Sequence, residues 1–201
     1  MTTTAEQIQE KPVMAPNDKN LDNPLPGQFN STQLNVVTTL DVANTVASKS
    51  IDGRAFLMDN SPHSKGKGTP QLQTICKQGQ VLNWLIYCLD MDQRQDKTWP
   101  PMARIVNIVF LDEGGEEVLG TQVCSDLKIY GGPDEIRSPY TPSYYYWAGM
   151  VRPDLEPGIY KYRLVYELDA DGGGMKHYFQ LSEPSLRVLP YDFVPQHPHK
   201  D

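Results

Sequence analysis

The chain has 201 residues, long enough for one well-buried core, and all-β chains of this size commonly form a single unit. Its 18 Lys and Arg against 25 Asp and Glu leave a formal charge of -7, so no field favours a polyanion or an anionic surface, and nucleic acid is not an expected partner. No run approaches the ~20 apolar residues that a membrane helix needs, so membrane insertion is not expected either.

Residues 1–33 are polar and carry Pro12, Pro16, Pro24 and Pro26 among Asn, Asp and Gln, a composition expected to form a flexible arm. The opening residues lack the basic start and apolar stretch of a cleaved secretory signal. The expected location is therefore cytoplasmic, with export by a route that leaves no cleaved signal as the alternative. Residues 34–190 are expected to form a single β-sandwich domain. Residues 191–201 form a Pro-rich tail whose Tyr191, Phe193 and Val194 are placed to pin its first half to the body.

Within 34–190 the dominant period is two, the signal of strands. In chain order they read from LNVVTTLDV, RAFLMD, PQLQTIC, VLNWLIYCL, ARIVNIVFL, EVLGTQVC, YYYWAGMV, GIYKYRLVYEL, KHYFQL and PSLRVL, with no convincing amphipathic helix between them. Turn residues separate them at KQGQ, DEGGEE and RPDLEPG. In GIYKYRLVYEL, Tyr160, Tyr162, Leu164, Tyr166 and Leu168 share one face while Lys161, Arg163 and Glu167 take the other. The Gly-rich DADGGGM then predicts a hairpin with KHYFQL. The expected class is all-β: an antiparallel β-sandwich, of jelly-roll or immunoglobulin-like type, with a disordered N-terminal arm.

Catalytic and metal patterns are sparse. A metal centre of convergent imidazoles and a carboxylate finds only His197 and His199 in the tail, His63 in a loop and His177 in a strand. The GxSxG turn of a serine nucleophile and the Gly-rich phosphate loops are absent. Cys76, Cys88 and Cys124 lack CxxC spacing and read as reduced, mostly buried thiols. The acidic stretches holding Asp90, Asp92 and Asp96, and Asp169 and Asp171, read as turns. The EF-hand-like start at Asp169 reaches Gln180 where a bidentate carboxylate is needed. No catalytic residue, metal or cofactor is assigned, and no enzyme activity is expected.

The strand with its embedded Asp (LNVVTTLDV), the AFLMDN segment, GTPQLQTICKQGQVLNW, YYYWAGMV and GIYKYRLVYELD together resemble the AidA/PixA family of bacterial inclusion-body proteins over about residues 34–190. The resemblance implies a small β-sandwich, cytoplasmic accumulation in protein inclusions, and quorum-regulated or host-associated behaviour. Seven Met in the chain is not a storage composition, which sets it apart from methionine-rich members.

The leading expectation is thus a non-enzymatic binding or self-assembling β-sandwich, with itself as partner in a homo-oligomer. The alternative is a carbohydrate-binding module or lectin in which Arg137, Tyr140, Tyr145 and Trp147, with Asp90 and Asp92, meet a glycan. Strand alternation divides the aromatic stretch into Tyr144, Tyr146, Ala148 and Met150 on one side and Tyr145, Trp147, Gly149 and Val151 on the other. The small Gly149 beside Trp147 favours the second set as the approachable one.

Overall fold

The computed structural model describes residues 33–90, 93, 95, 97, 102–131, 145–169 and 175–193. Among them the strands are β1 (Leu34–Leu40), β2 (Ala55–Asp59), β3 (Gln73–Lys77), β4 (Val81–Cys88), β5 (Ala103–Leu111), β6 (Glu117–Val118), β7 (Cys124–Gly131), β8 (Tyr145–Val151), β9 (Gly158–Leu168), β10 (His177–Leu181) and β11 (Ser185–Leu189). A helix, α1 (Val42–Ser48), follows β1. Sheet A has the order β2-β1-β4-β8-β7. Sheet B has the order β3-β11-β9-β5-β6, with β10 also on β9. The all-β sandwich expected from the alternation is present. Two of its pairings, β1 with β4 and β3 with β11, are parallel, so both sheets are mixed.

The parallel pairings follow from the way the chain changes layers. Lys77 ends β3 in sheet B and Val81 begins β4 in sheet A, and the intervening KQGQ turn is tied to both layers. Gln78 N–H donates to Leu189 of β11, and Gly79 N–H donates to Val151 of β8. The crossing needs Gly79 at φ 73, a left-handed conformation that a side chain disfavours.

Alternation places one face of every main strand between the sheets. Leu34, Val36, Thr38 and Leu40 of β1 and Leu82 and Trp84 of β4 meet Tyr162, Leu164, Tyr166 and Leu168 of β9 and Leu186 and Val188 of β11. The Trp84 and Tyr162 rings pack edge to face at 6.0 Å. A buried hydrogen bond at 2.9 Å joins Thr38 Oγ1 to the Tyr166 hydroxyl across the layers. Burial pushes the Tyr162 and Tyr166 phenols upward, so both are neutral at all ordinary pH.

A loop seals one side of the sandwich. Gly68 N–H donates to Leu57 of β2, while Lys65 exchanges both backbone hydrogen bonds with Gln73 of β3. Ser61 and Ser64 satisfy Ile75. Lys67 Nζ donates to the Asp59 and Ser61 carbonyls at 3.0 and 2.5 Å and lies 3.3 Å from the buried Asp59 carboxylate. Leu57 of β2 and Gln73 and Ile75 of β3 therefore have outer backbone partners within the chain.

α1 was not expected from the pattern. Only Val42 and Thr45 of its seven residues are buried, too few to show a helical period. It forms because Asp41 caps it, accepting from Asn44 N–H at 3.0 Å, and because Lys49 stops it at φ 54. β7 was also missed. A bulge between Ser125 and Lys128, with Asp126 at φ 53, breaks its alternation, and EVLGTQVC is a two-residue strand followed by a 3-10 turn (Gly120–Gln122).

Candidate functional site

The outer face of sheet A carries the most unusual surface among the described residues. Cross-strand partners share a face, so the registers can be read straight across the sheet. Met58 of β2 pairs with Val37 of β1, Val37 with Leu85 of β4, Leu85 with Tyr146 of β8 and Tyr146 with Tyr130 of β7. One apolar row thus crosses all five strands, with Met58 54% and Tyr130 37% exposed. A second row, Phe56, Thr39 and Tyr87, runs beside it, with Phe56 41% and Tyr87 55% exposed. A sheet face normally covered or polar is here half-open and greasy.

On the other flank of the first row the residues turn polar. Asn35, Asn83, Ala148 and Lys128 form the next register line. Asn83 Nδ2 donates to Asn35 Oδ1 at 2.9 Å and reaches Gln33 Oε1 at 3.4 Å, while Asn60 holds Asn35 N–H at 2.8 Å. Tyr130 and Tyr146 stack with centroids 5.7 Å apart and planes at 20°, and the Lys128 ammonium lies 5.2 Å from the Tyr130 centroid. Between the amides and the rings runs a groove of about 340 Å³ lined by Gln33, Asn35, Val81, Asn83, Leu85, Tyr130, Tyr146 and Ala148. It lies at the lower end of the usual range for ligand sites, about 300–1,000 Å³.

Of the residues singled out from sequence, the described ones, Trp147, Tyr145 and Asp90, fall elsewhere. Trp147 faces inward opposite Trp84, and its indole N–H donates to the Ile105 carbonyl of β5 at 2.9 Å. That carbonyl is available because β6 covers only Phe110 and Leu111 of β5 and because β5 is bulged between Ile105 and Asn107. Tyr145 lies at the same margin, with the Arg104 guanidinium 5.9 Å from its ring centroid. Gly149 opens no approach: a Cβ there would meet Cys124 Cβ and Leu127 Cδ1 at 3.1 Å, so the space beside it is filled by β7. The alternation was right and the side assigned to the surface was wrong, since Tyr146 and Ala148 line the groove. Asp90 is engaged with α1, its Oδ2 accepting from Val42 and Ala43 N–H at 2.6 and 3.2 Å. Arg137, Tyr140 and Asp92 lie outside the described residues, as do Tyr144, Asp96, Asp171, His197 and His199. Sequence reasoning missed Asn35, Asn83 and Tyr130, because their proximity comes from the parallel β1–β4 pairing and the unseen β7.

A second polar cluster sits on the outer face of sheet B. Glu167, only 9% exposed, accepts from Arg104 Nε and Nη2 at 2.9 and 2.7 Å, Lys176 Nζ at 2.8 Å and the Tyr178 hydroxyl at 2.9 Å. Three side chains from two neighbouring strands and the turn before β10 converge on this one carboxylate, the mark of a cross-strand clamp. The thiols are quiet: burial pushes Cys76 up to about 12 and Cys88 to about 11, and raises Cys124 as well. Among the described residues no three His, Cys, Asp or Glu side chains come together to hold a metal ion. No helix among them is long and apolar enough to cross a membrane.

Comparison with known proteins gives the following likenesses. Residues 32–99 match a family described as Domain of unknown function (DUF8788). No curated protein matches. The crystal structure of the inclusion body protein PixA from Burkholderia cenocepacia J2315 is similar at a TM-score of 0.46 and 10% identity, covering 80% of this chain and 97% of that one.

Proposed function

We propose that this is a non-enzymatic binding protein that self-associates through the outer face of sheet A. The carrying observation is the apolar row from Met58 to Tyr130, flanked by Phe56 and Tyr87, on a face that no other described element covers. Exposed apolar surface of this continuity is costly to leave in water and gains free energy when a second surface excludes that water. The strand pattern that resembles the AidA/PixA family adds the rest of the reading: a cytoplasmic, inclusion-body-type protein, quorum-regulated and host-associated. Sealing of β2 and β3 by the 61–69 loop supports face contact over edge contact on that side.

Size-exclusion chromatography with light scattering across a concentration series tests the reading. The mass is expected to rise with concentration, and paired substitutions Met58→Lys and Phe56→Lys are expected to return the protein to a monomer. A strict monomer at the highest soluble concentration would sink the proposal.

A further inference from the structure

The groove on the same face adds polar groups that the apolar row lacks. Gln33, Asn35 and Asn83 form a neutral carboxamide chain along one wall, and the stacked Tyr146 and Tyr130 form the other. Asn83 donates through Nδ2, which leaves its Oδ1 as an acceptor, while Asn35, accepting through Oδ1, keeps its Nδ2 as a donor. No other hydrogen bond engages those two atoms among the described residues.

We propose that this groove binds a neutral carbohydrate, one sugar ring lying against Tyr146 with its hydroxyls on Asn83 and Asn35. A hydroxyl is both donor and acceptor, so adjacent sugar hydroxyls satisfy Asn83 Oδ1 and Asn35 Nδ2 together. A carboxylate or phosphate offers acceptors alone and meets Asn83 Oδ1 with repulsion. A proline-rich peptide also lacks donors where its prolines lie and leaves the same oxygen unpaired. A purely apolar ligand would strip water from three amides without replacing it. The rings supply the remaining requirement, an apolar π surface for the C–H face of a pyranose. Lys128, which pairs with Ala148, is outside the groove lining and is engaged with Tyr130.

The test is calorimetric titration, with ligand-observed NMR, of the full chain against neutral gluco-, manno-, galacto- and N-acetylglucosamine oligosaccharides. Sialylated and sulfated glycans and a peptide of residues 21–32 form the comparison arms. At least one neutral saccharide is expected to bind saturably, and Asn83→Ala and Tyr146→Ala each to weaken it by about tenfold or more. If Tyr146→Ala does not fold, Asn35→Asp keeps the shape and the bond accepted from Asn83, removes the donor offered to the sugar, and is expected to give the same loss. Binding of no neutral saccharide, binding of only the anionic glycans or the peptide, or binding unchanged by these substitutions overturns the proposal. Saccharide binding does not depend on the self-association reading: Met58→Lys with Phe56→Lys should abolish assembly and leave it intact, while Asn83→Ala should do the reverse.

Discussion

Glu167 offers a quantitative test of how sheet B is held together. Burial by itself would raise its carboxyl, yet Lys176, Arg104 and Tyr178 override that and bring it from 4.5 down to about 2. A shift of that size corresponds to about 3 kcal/mol, at about 1.4 kcal/mol per pH unit. The Arg104 and Lys176 side chains are 37% and 42% exposed, so solvent screening brings the figure to roughly 1–2 kcal/mol. The folded-state value is the depressed one, so this stability is present in full above about 4.5, declines as pH falls, and is gone below about 2. Glu167→Gln keeps the shape and removes the charge, and its half-exposed partners can rehydrate. Urea unfolding of both proteins across an acid series should therefore show a gap of roughly 1–2 kcal/mol at neutral pH that closes through that window. A gap that is independent of pH, or that widens toward acid, would refute the clamp.

The close approach of β7 to Gly149 predicts that Gly149→Ala lowers unfolding free energy by about 1–3 kcal/mol in the same assay, because Cys124 and Leu127 must both move. An unchanged midpoint would mean that the β7 bulge is slack. The elevated thiols predict that Cys76, Cys88 and Cys124 react slowly with Ellman's reagent in the native protein at mildly alkaline pH and quickly after unfolding. A fast-reacting native thiol would contradict their placement.

The parts of the fold legible in the sequence were those in which a regular strand advertises itself. GIYKYRLVYEL gave its buried face correctly at Tyr162, Leu164, Tyr166 and Leu168, and its hairpin with KHYFQL is the observed β9–β10 pair. Glu167 fell on the predicted outer face, but its burial did not show, since burial there depends on Arg104 and Lys176 from elsewhere in the chain. What alternation could not tell was which side of β8 is the outside. That choice is made by an indole reaching Ile105 in the other sheet and by Leu127 filling the space beside Gly149, both long-range facts. Asp90 looked like a ligand-binding loop residue for the same reason, since its helix is built from residues 41–49. The groove amides were invisible because Asn35 and Asn83 meet only through a parallel register, for which local sequence carries no mark.

The loop that takes up the backbone of β2 and β3 also bears on how this protein behaves when crowded. A strand arriving from a neighbouring molecule finds the outer groups at Leu57, Gln73 and Ile75 already engaged, so hydrogen-bonded ribbon growth lacks a continuous template there. Under the proposed self-association, concentration would act through side chains on a face, where the charges of Met58→Lys and Phe56→Lys would let molecules part. Dense packing and ready dispersal are compatible in such a design, as they are not in a cross-β fibre.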